Sequence, residues 1–301
     1  IHNIPVALWP EPCVPAPGLD VPGVDEPRLV PPGPGLAVGL DIGGTSMKAV
    51  ALEAGVLVAT VVAPTWPVGE VGIDSLVRRG RALVTQVAAG RRVGSLGIGL
   101  AAPMGVGGQV LELSTILRER VGSVGAFADF ATAVSTGLVN GPVALFNDLS
   151  NLGRHLSATG SRRLVRVQIG TSFGGCWIDG DGGVVATEMG RLVGDAAPGA
   201  TPHTYLPVSG AMRTYLSNLG VATALAAATG EAVAGPDAGH RLRAMLEARD
   251  PRAGAVVDFL CDALVAACQE FGALLVGAAA IECGGSMLQG PLGARVAAQV
   301  A

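Results

Sequence analysis

An α/β fold in two lobes with a cleft between them is the expectation for this chain. Two observations point to it. Three short β-patterned segments lead into alternating helical and strand patterns over 36–146, and the same grammar returns from residue 164 onward. In both halves glycines and a hydroxyl follow directly on an apolar, strand-like run, the position where α/β proteins hold ligands. In order, Leu36–Leu40, Met47–Leu52 and Val56–Ala63 read as strands joined by glycine-containing turns. Ile73–Ala89 has helical spacing, Val93–Ala102 is a strand, Ala126–Leu138 a second helix and Val143–Phe146 a buried strand. The second set is Leu164–Gly170, Gly174–Asp179 and Val184–Thr187, followed by helices near 208–228, 237–248 and 253–278 and a short strand, Ala279–Glu282. The domains expected are a proline-rich arm over 1–35, an N-terminal α/β lobe over 36–144 and a C-terminal α/β lobe over 145–301.

Composition removes several classes of function. A formal charge of −4, a pI near 5.6 and the lack of any Lys/Arg cluster argue against nucleic acid as a partner. The most apolar region, 254–281, is interrupted by Asp258, Asp262 and Glu270, so it reads as a core helix and no membrane is implied. The five cysteines (Cys13, Cys176, Cys261, Cys268, Cys283) are scattered with no metal-ligand spacing, as expected of reduced thiols in a cytoplasm. Residues 1–35 hold ten of the twenty prolines, which excludes a helix or a central strand and leaves an extended or disordered arm. That arm makes a poor signal peptide, and a start at Ile1 suggests processing, a fragment or a misassigned start.

Four short stretches carry candidate chemistry. In Asp41-Ile42-Gly43-Gly44-Thr45 the adjacent glycines let backbone N–H groups approach an anion, the hydroxyl adds a donor, and the carboxylate suits a divalent cation. A plain hairpin turn explains the same glycines, and in a chain with 45 of them a doublet alone means little. Asn147-Asp148 ends the strand Val143–Phe146, where Asp148 suits either a general base or a helix N-cap. Gly170-Thr171-Ser172-Phe173-Gly174-Gly175 repeats the first motif after its own strand. Cys283-Gly284-Gly285-Ser286 places a third glycine pair between strand and helix, where the missing side chains leave room for a purine and ribose or simply for a turn.

Together these stretches carry a resemblance. Asp41–Thr45 resembles the first phosphate motif of the actin-like sugar kinases, particularly the ROK family of kinases and sugar-responsive repressors. Ser95–Pro103 is similar to that family's next glycine-rich strand, Phe146-Asn147-Asp148 to its catalytic Asn-Asp, and Gly170–Gly175 to its second phosphate motif. Thr187-Glu188-Met189-Gly190 resembles the segment whose Glu binds sugar hydroxyls, Gly210–Ser217 the stretch after the zinc-binding loop, and Cys283-Gly284-Gly285 the adenosine motif. The match runs in order over about residues 36–290. It departs from the family in four places. Arg191 stands where a His is usual and the zinc loop lacks cysteine, implying no structural zinc. Arg213 falls at a second sugar-binding Glu, and Leu149-Ser150 replaces the usual Ala-Asn, with Asn151 one position on.

The resemblance implies a two-lobed actin-like (ribonuclease H-like) ATPase fold and phosphoryl transfer from ATP to a hydroxyl of a hexose, modified sugar or cyclitol. Asp148 would be the general base and Asp41 would organise Mg²⁺, through water. Gly43, Gly44, Thr45, Gly170, Thr171, Gly174 and Gly175 would hold phosphates, and Gly284, Gly285 and Ser286 the adenosine. Asn147, Asp148, Glu188, Arg191 and Arg213 would meet the substrate, the two arginines favouring a ligand other than glucose unless they are simply solvated. A homodimer is the usual assembly of the family. The alternatives are a degenerate sugar-sensing protein of the same fold and a polyphosphate-dependent glucokinase. The proline-rich arm leaves no place for the family's DNA-binding helices.

Overall fold

The computed structural model describes residues 4–6, 34–105, 108–197, 199–202, 208–274, 278–288 and 290–300. The chain divides into two compact units, Gly18–Asn151 and Leu152–Ala301 together with Ile1–Pro17. Apart from Ile4–Val6, which form strand β1, the proline-rich arm lies almost wholly outside the described residues.

The unit Gly18–Asn151 is built on a five-stranded sheet. Strands β2 (Leu36–Ile42), β3 (Ser46–Glu53) and β4 (Val56–Pro64) form an antiparallel meander. β5 (Val93–Leu100) pairs parallel to β2, and β6 (Val143–Asn147) parallel to β5, giving the order β4-β3-β2-β5-β6. The apolar alternation of β2 becomes a buried face of Leu36, Val38, Leu40 and Ile42, because side chains point to opposite faces with period two. Helix α1 (Ile73–Ala88) packs in the same core through Leu76, Leu83, Val84 and Val87, which the helical period gathers on one side. Gly80 takes part in this packing: a methyl there would stand 3.2 Å from Leu40 and 3.5 Å from Val134. Two short helices, α2 (Thr115–Val121) and α3 (Phe130–Ser135), complete the layer.

α4 (Asp148–Ala158) carries the chain from one unit into the other. The second sheet repeats the plan of the first. β7 (Leu164–Ile169), β8 (Phe173–Ile178) and β9 (Val184–Thr187) form the meander, and β10 (Ala280–Gly284) runs parallel to β7. β1 adds antiparallel to the outer side of β10, an edge position that a proline-rich segment tolerates. Around this sheet lie α5 (Met212–Tyr215), α6 (Asn218–Thr229), α7 (Gly235–Glu247), α8 (Arg252–Leu274) and α9 (Pro291–Val300). Val165, Val167, Ile169 and Ile281 of the strands share one core with Val221, Leu225, Val256, Leu260 and Leu264 of the helices. Among the described residues no helix is long and apolar enough to cross a membrane.

Three elements depart from the sequence reading. The single helix expected near 208–228 is two, because Ser217 turns extended and caps α6 by accepting from Gly220 N. The helix expected over Ala126–Leu138 is a 3₁₀ turn, Val124–Phe127, followed by the short α3. The units part at Asn151/Leu152, inside α4, and not ahead of Leu145.

The four described cysteines, Cys176, Cys261, Cys268 and Cys283, are buried, the last three in the second core. Burial pushes Cys176 up to about 12 and Cys261 up to about 11. Because all four are buried, a Cys13→Ser variant should react with a thiol reagent at neutral pH no faster than the protein opens. Stoichiometric labelling within the mixing time would contradict this.

Candidate active site

Register places the first group of candidate residues. Asp41 pairs with Gly99 across β2 and β5, and Gly99 with Phe146 across β5 and β6, so three parallel strands end along one edge. Asp148 follows immediately as the first residue of α4. Gly99 is what lets these parts approach. A methyl on it would stand 3.2 Å from Asn151 Nδ2, 3.7 Å from the Asp148 Cα and 3.7 Å from Asp41 Oδ1. In the sequence Gly99 is legible only as part of the glycine-rich strand Ser95–Pro103, with no role of its own.

The cap of α4 is Asn147. Its Oδ1 accepts from Leu149 N at 2.9 Å and from Ser150 N at 3.1 Å, while its Nδ2 donates to Ala102 O at 2.9 Å. Both ends of that buried amide are thus engaged within the unit. Asp148 Oδ1 also accepts from Leu149 N, at 2.9 Å. Asp41 is half-exposed; burial raises its carboxyl above the ordinary value, and Lys48, 3.8 Å away, opposes the rise. The Gly43–Thr45 segment is a hairpin turn between β2 and β3, closed by Gly43 N donating to Ser46 O at 3.1 Å. Buried Thr65 clamps it from behind: its hydroxyl donates to Gly43 O at 2.7 Å and its N–H to Thr45 O at 3.0 Å.

In the second unit Gly170–Ser172 is the corresponding hairpin turn between β7 and β8. Gly170 N donates to Ser172 O, and Asn218 N donates to Gly170 O, each at 3.0 Å. Gly174 and Gly175 lie beyond the turn, inside β8, opposite Gln168 and Val167. A methyl on Gly175 would overlap Arg166 O at 2.6 Å and the Met189 sulfur at 2.8 Å, so close packing alone requires that glycine.

Glu188, Arg191 and Arg213 gather beside this hairpin. Glu188 leads into the 3₁₀ turn Met189–Arg191, and Arg191 Nε reaches back to Glu188 Oε2 at 3.2 Å. Arg213, on α5, donates through Nη2 to Ser172 Oγ at 2.8 Å. Gly190 sits between them, where a methyl would be 2.4 Å from Phe173 O and 3.0 Å from Arg213 Cβ. The segment joining Arg191 to α5 is closed by hydrogen bonds. Gly194 N and Asp195 N donate to Gly210 O, Gly210 N donates to Thr201 O, and the Tyr215 hydroxyl donates to Asp195 Oδ2 at 2.6 Å. The Tyr215 bond holds the half-buried Asp195 carboxyl below its ordinary value.

At the third glycine pair the structure supplies an occupant. A methyl on Gly284 would overlap the Arg166 guanidinium, and one on Gly285 (φ +118°) would stand 2.1 Å from Ile169 O. Arg166 is buried and paired with Glu282 at 3.1 Å. These glycines therefore let β10 lie against β7 and its arginine, whatever else they hold. Ser286 begins the 3₁₀ turn Ser286–Leu288.

No protein-family model matches the chain, and a search of curated proteins gives no match. Solved structures do match. A ROK-family glucokinase from Streptomyces griseus, in complex with glucose and AMPPNP, is 21% identical with a TM-score of 0.66, covering 88% of each chain. A ROK hexokinase from Thermus thermophilus is 21% identical with a TM-score of 0.62, over 88% of this chain and 87% of that one. A ROK family protein from Streptococcus pneumoniae TIGR4, in complex with sucrose, is 16% identical with a TM-score of 0.59, over 88% and 86%. The chain has the ROK-kinase fold. This is the actin-like, ribonuclease H-like α/β architecture, and the repeated sheet order described above is its framework.

Two outcomes follow from this geometry. Gly99→Val should destabilise the protein by about 1–3 kcal/mol through overpacking. Gly97→Val, where a methyl meets nothing within 4 Å, should lose less; equal losses in denaturant unfolding would remove the special role of Gly99. The second concerns the Tyr215–Asp195 bond. Because the folded Asp195 pKa lies below the unfolded value, its stabilisation is present above about pH 4 and is lost as pH falls through the lowered folded value. Tyr215→Phe should speed amide exchange at Gly194, Asp195 and Gly210 at neutral pH, relative to intrinsic rates. The wild type should show the same loosening only in acid.

Proposed function

We propose that the protein is a kinase that transfers the terminal phosphoryl group of ATP to a hydroxyl of a sugar or sugar-like polyol. The observation that carries this reading is the placement of Asp41 and Asp148 at one sheet edge, across a glycine that holds no side chain between them. The ROK-kinase fold supports it, and so do the solved neighbours described as sugar kinases.

In this reading Asp148 accepts the proton of the acceptor hydroxyl. The acceptor oxygen forms its bond to phosphorus as the bridging P–O bond breaks, and ADP leaves with that electron pair. Asn147 holds the start of α4, and hence Asp148, through its bonds to Ala102, Leu149 and Ser150. The hairpin turns Gly43–Thr45 and Gly170–Ser172, one in each unit, are the proposed phosphate-binding elements. Adenosine is proposed to lie near Gly284, Gly285 and Ser286.

A divalent cation fits the first unit in one way. Among the described residues no three His, Cys, Asp or Glu side chains form a metal cage, whereas Asp41 offers a half-exposed carboxylate beside the first turn. That suits Mg²⁺, which keeps several waters and is held by one or two carboxylates and substrate phosphates. When bound it would neutralise charge developing on the phosphate oxygens. On the acceptor side, Glu188 and Arg191 form an ion pair that offers acceptor and donor atoms together. This supports a substrate with groups beyond plain hydroxyls, such as a modified or anionic sugar.

Asp148→Asn should lower turnover by about a hundredfold to ten-thousandfold, the usual weight of a general base, and leave nucleotide binding intact. The measurement is ATP consumption across hexoses, amino sugars, sugar acids and cyclitols, first with the wild type to find the acceptor. Near-normal turnover of the variant would exclude Asp148 as the base, and no consumption with any acceptor would overturn the kinase reading.

A further inference from the structure

Two asparagines stand near the start of α4, and the structure employs them differently. The family resemblance gives Asn147 a place in the site, yet its amide is committed at both ends. Its partners are Ala102 O and the N–H groups of Leu149 and Ser150. Asn151 has no such duty. It is the fourth residue of α4, past the orphan N–H groups of the first turn, so capping does not account for it. Among the described residues its half-buried side-chain amide has no hydrogen-bond partner. Asparagine is also a poor helix former, because its side chain competes with the backbone for hydrogen bonds.

What Asn151 faces is set by the helix and by Gly99. Positions 148 and 151 are neighbours on one face of α4, and both meet the place of the missing Gly99 side chain. From the point where a methyl would stand, Asn151 Nδ2 is 3.2 Å away and Asp41 Oδ1 is 3.7 Å away. The glycine thus keeps a gap open between an uncommitted amide and a carboxylate oxygen. The other oxygen of Asp41, Oδ2, is turned to Lys48 on β3, at 3.8 Å. The Lys48 ammonium repels any cation on its own side, which favours the Oδ1 side, toward Asn151. No hydrogen bond fixes the Asn151 amide, so it is able to turn its oxygen toward an O–H donor.

We infer that Asn151 belongs to the cation site: its amide oxygen and the Asp41 carboxylate hold, across Gly99, a water of a hydrated divalent cation. Mg²⁺ suits such a pair because it keeps several waters, and the metal charge makes those waters strong donors. The inference rests on the kinase reading and adds to it a positioning residue for the cation, one that touches the water and not the metal.

The test uses Mn²⁺ as the probe, followed by electron paramagnetic resonance on the full chain with the non-hydrolysable nucleotide AMPPNP and no acceptor. Mn²⁺ affinity in Asn151→Ala should fall about tenfold to a hundredfold, the usual loss when an outer-shell partner of a metal is removed. AMPPNP affinity measured without metal should be unchanged, whereas a loosened helix would lower both. Asn151→Asp keeps an acceptor oxygen in place and should hold Mn²⁺ at least as well as the wild type. Wild-type Mn²⁺ affinity in Asn151→Ala, or equal losses for Mn²⁺ and for metal-free AMPPNP, overturns the inference and leaves the kinase reading standing. A fall in Asn151→Asp as large as that in Asn151→Ala also overturns it, since the acceptor oxygen would then not be what matters. If the wild type holds Mn²⁺ no better than AMPPNP does in free solution, the inference falls together with the cation site. ATP consumption by the same preparation then decides whether the kinase reading falls as well.

Discussion

Parallel pairing of β2, β5 and β6 in one register is the constraint on which the first unit's chemistry depends. Asp41 faces Gly99 and Gly99 faces Phe146, so the strand ends align and the chain enters α4 beside the Asp41 carboxylate. A slip of one residue would turn β2's buried Leu36, Val38, Leu40 and Ile42 outward, so the core itself locks the alignment. Gly99 then decides how closely the carboxylates can approach, and Asn147 decides where α4 begins.

The second unit repeats the meander and the parallel neighbour but uses its glycines differently. Gly175, Gly190, Gly284 and Gly285 each lie where a methyl would run into another strand, an arginine or a backbone carbonyl. Their common effect is to bring β7, β8, β10 and α5 together around the Gly170–Ser172 turn. Arg166 shows the same logic from the other side. Its guanidinium, buried and paired with Glu282, fills the space that Gly284 leaves beside β10. Beyond the Met189–Arg191 turn, Tyr215 and Asp195 hold the connecting loop by a side-chain hydrogen bond and backbone bonds to Gly210.

Much of the fold was legible in the chain. The strand triplets, the long helices and the return of the same pattern in the second half follow from apolar periods of 2 and 3.6, which are local. Interrupted helices were not legible: the alanine-rich stretch through 208–228 has no strong pattern, and Ser217 ends one helix and caps the next only because the chain turns extended there. The candidate site was legible as motifs and less so as roles. Asp41, Asp148 and the two hairpin turns stand where glycine, hydroxyl and carboxylate after a strand would put them. Asp148 reads in sequence as either a general base or a helix cap, and only in three dimensions does the capping of α4 fall to Asn147, through Leu149 and Ser150.

From the sequence alone came the α/β class, the two-part organisation, the acidic net charge and the order of the glycine motifs, since all of these are written in composition and near-neighbour spacing. Tertiary structure alone decided what each glycine makes room for and which group each charge meets. Gly99 admits a carboxylate and a helix start, Gly284 admits an arginine, Arg191 meets Glu188, and Arg213 meets Ser172 from a helix 41 residues away. The physical reason is that a missing side chain specifies only an empty volume, and a long cationic one only a reach. What fills the volume or ends the reach is set by strands and helices that arrive from distant parts of the chain.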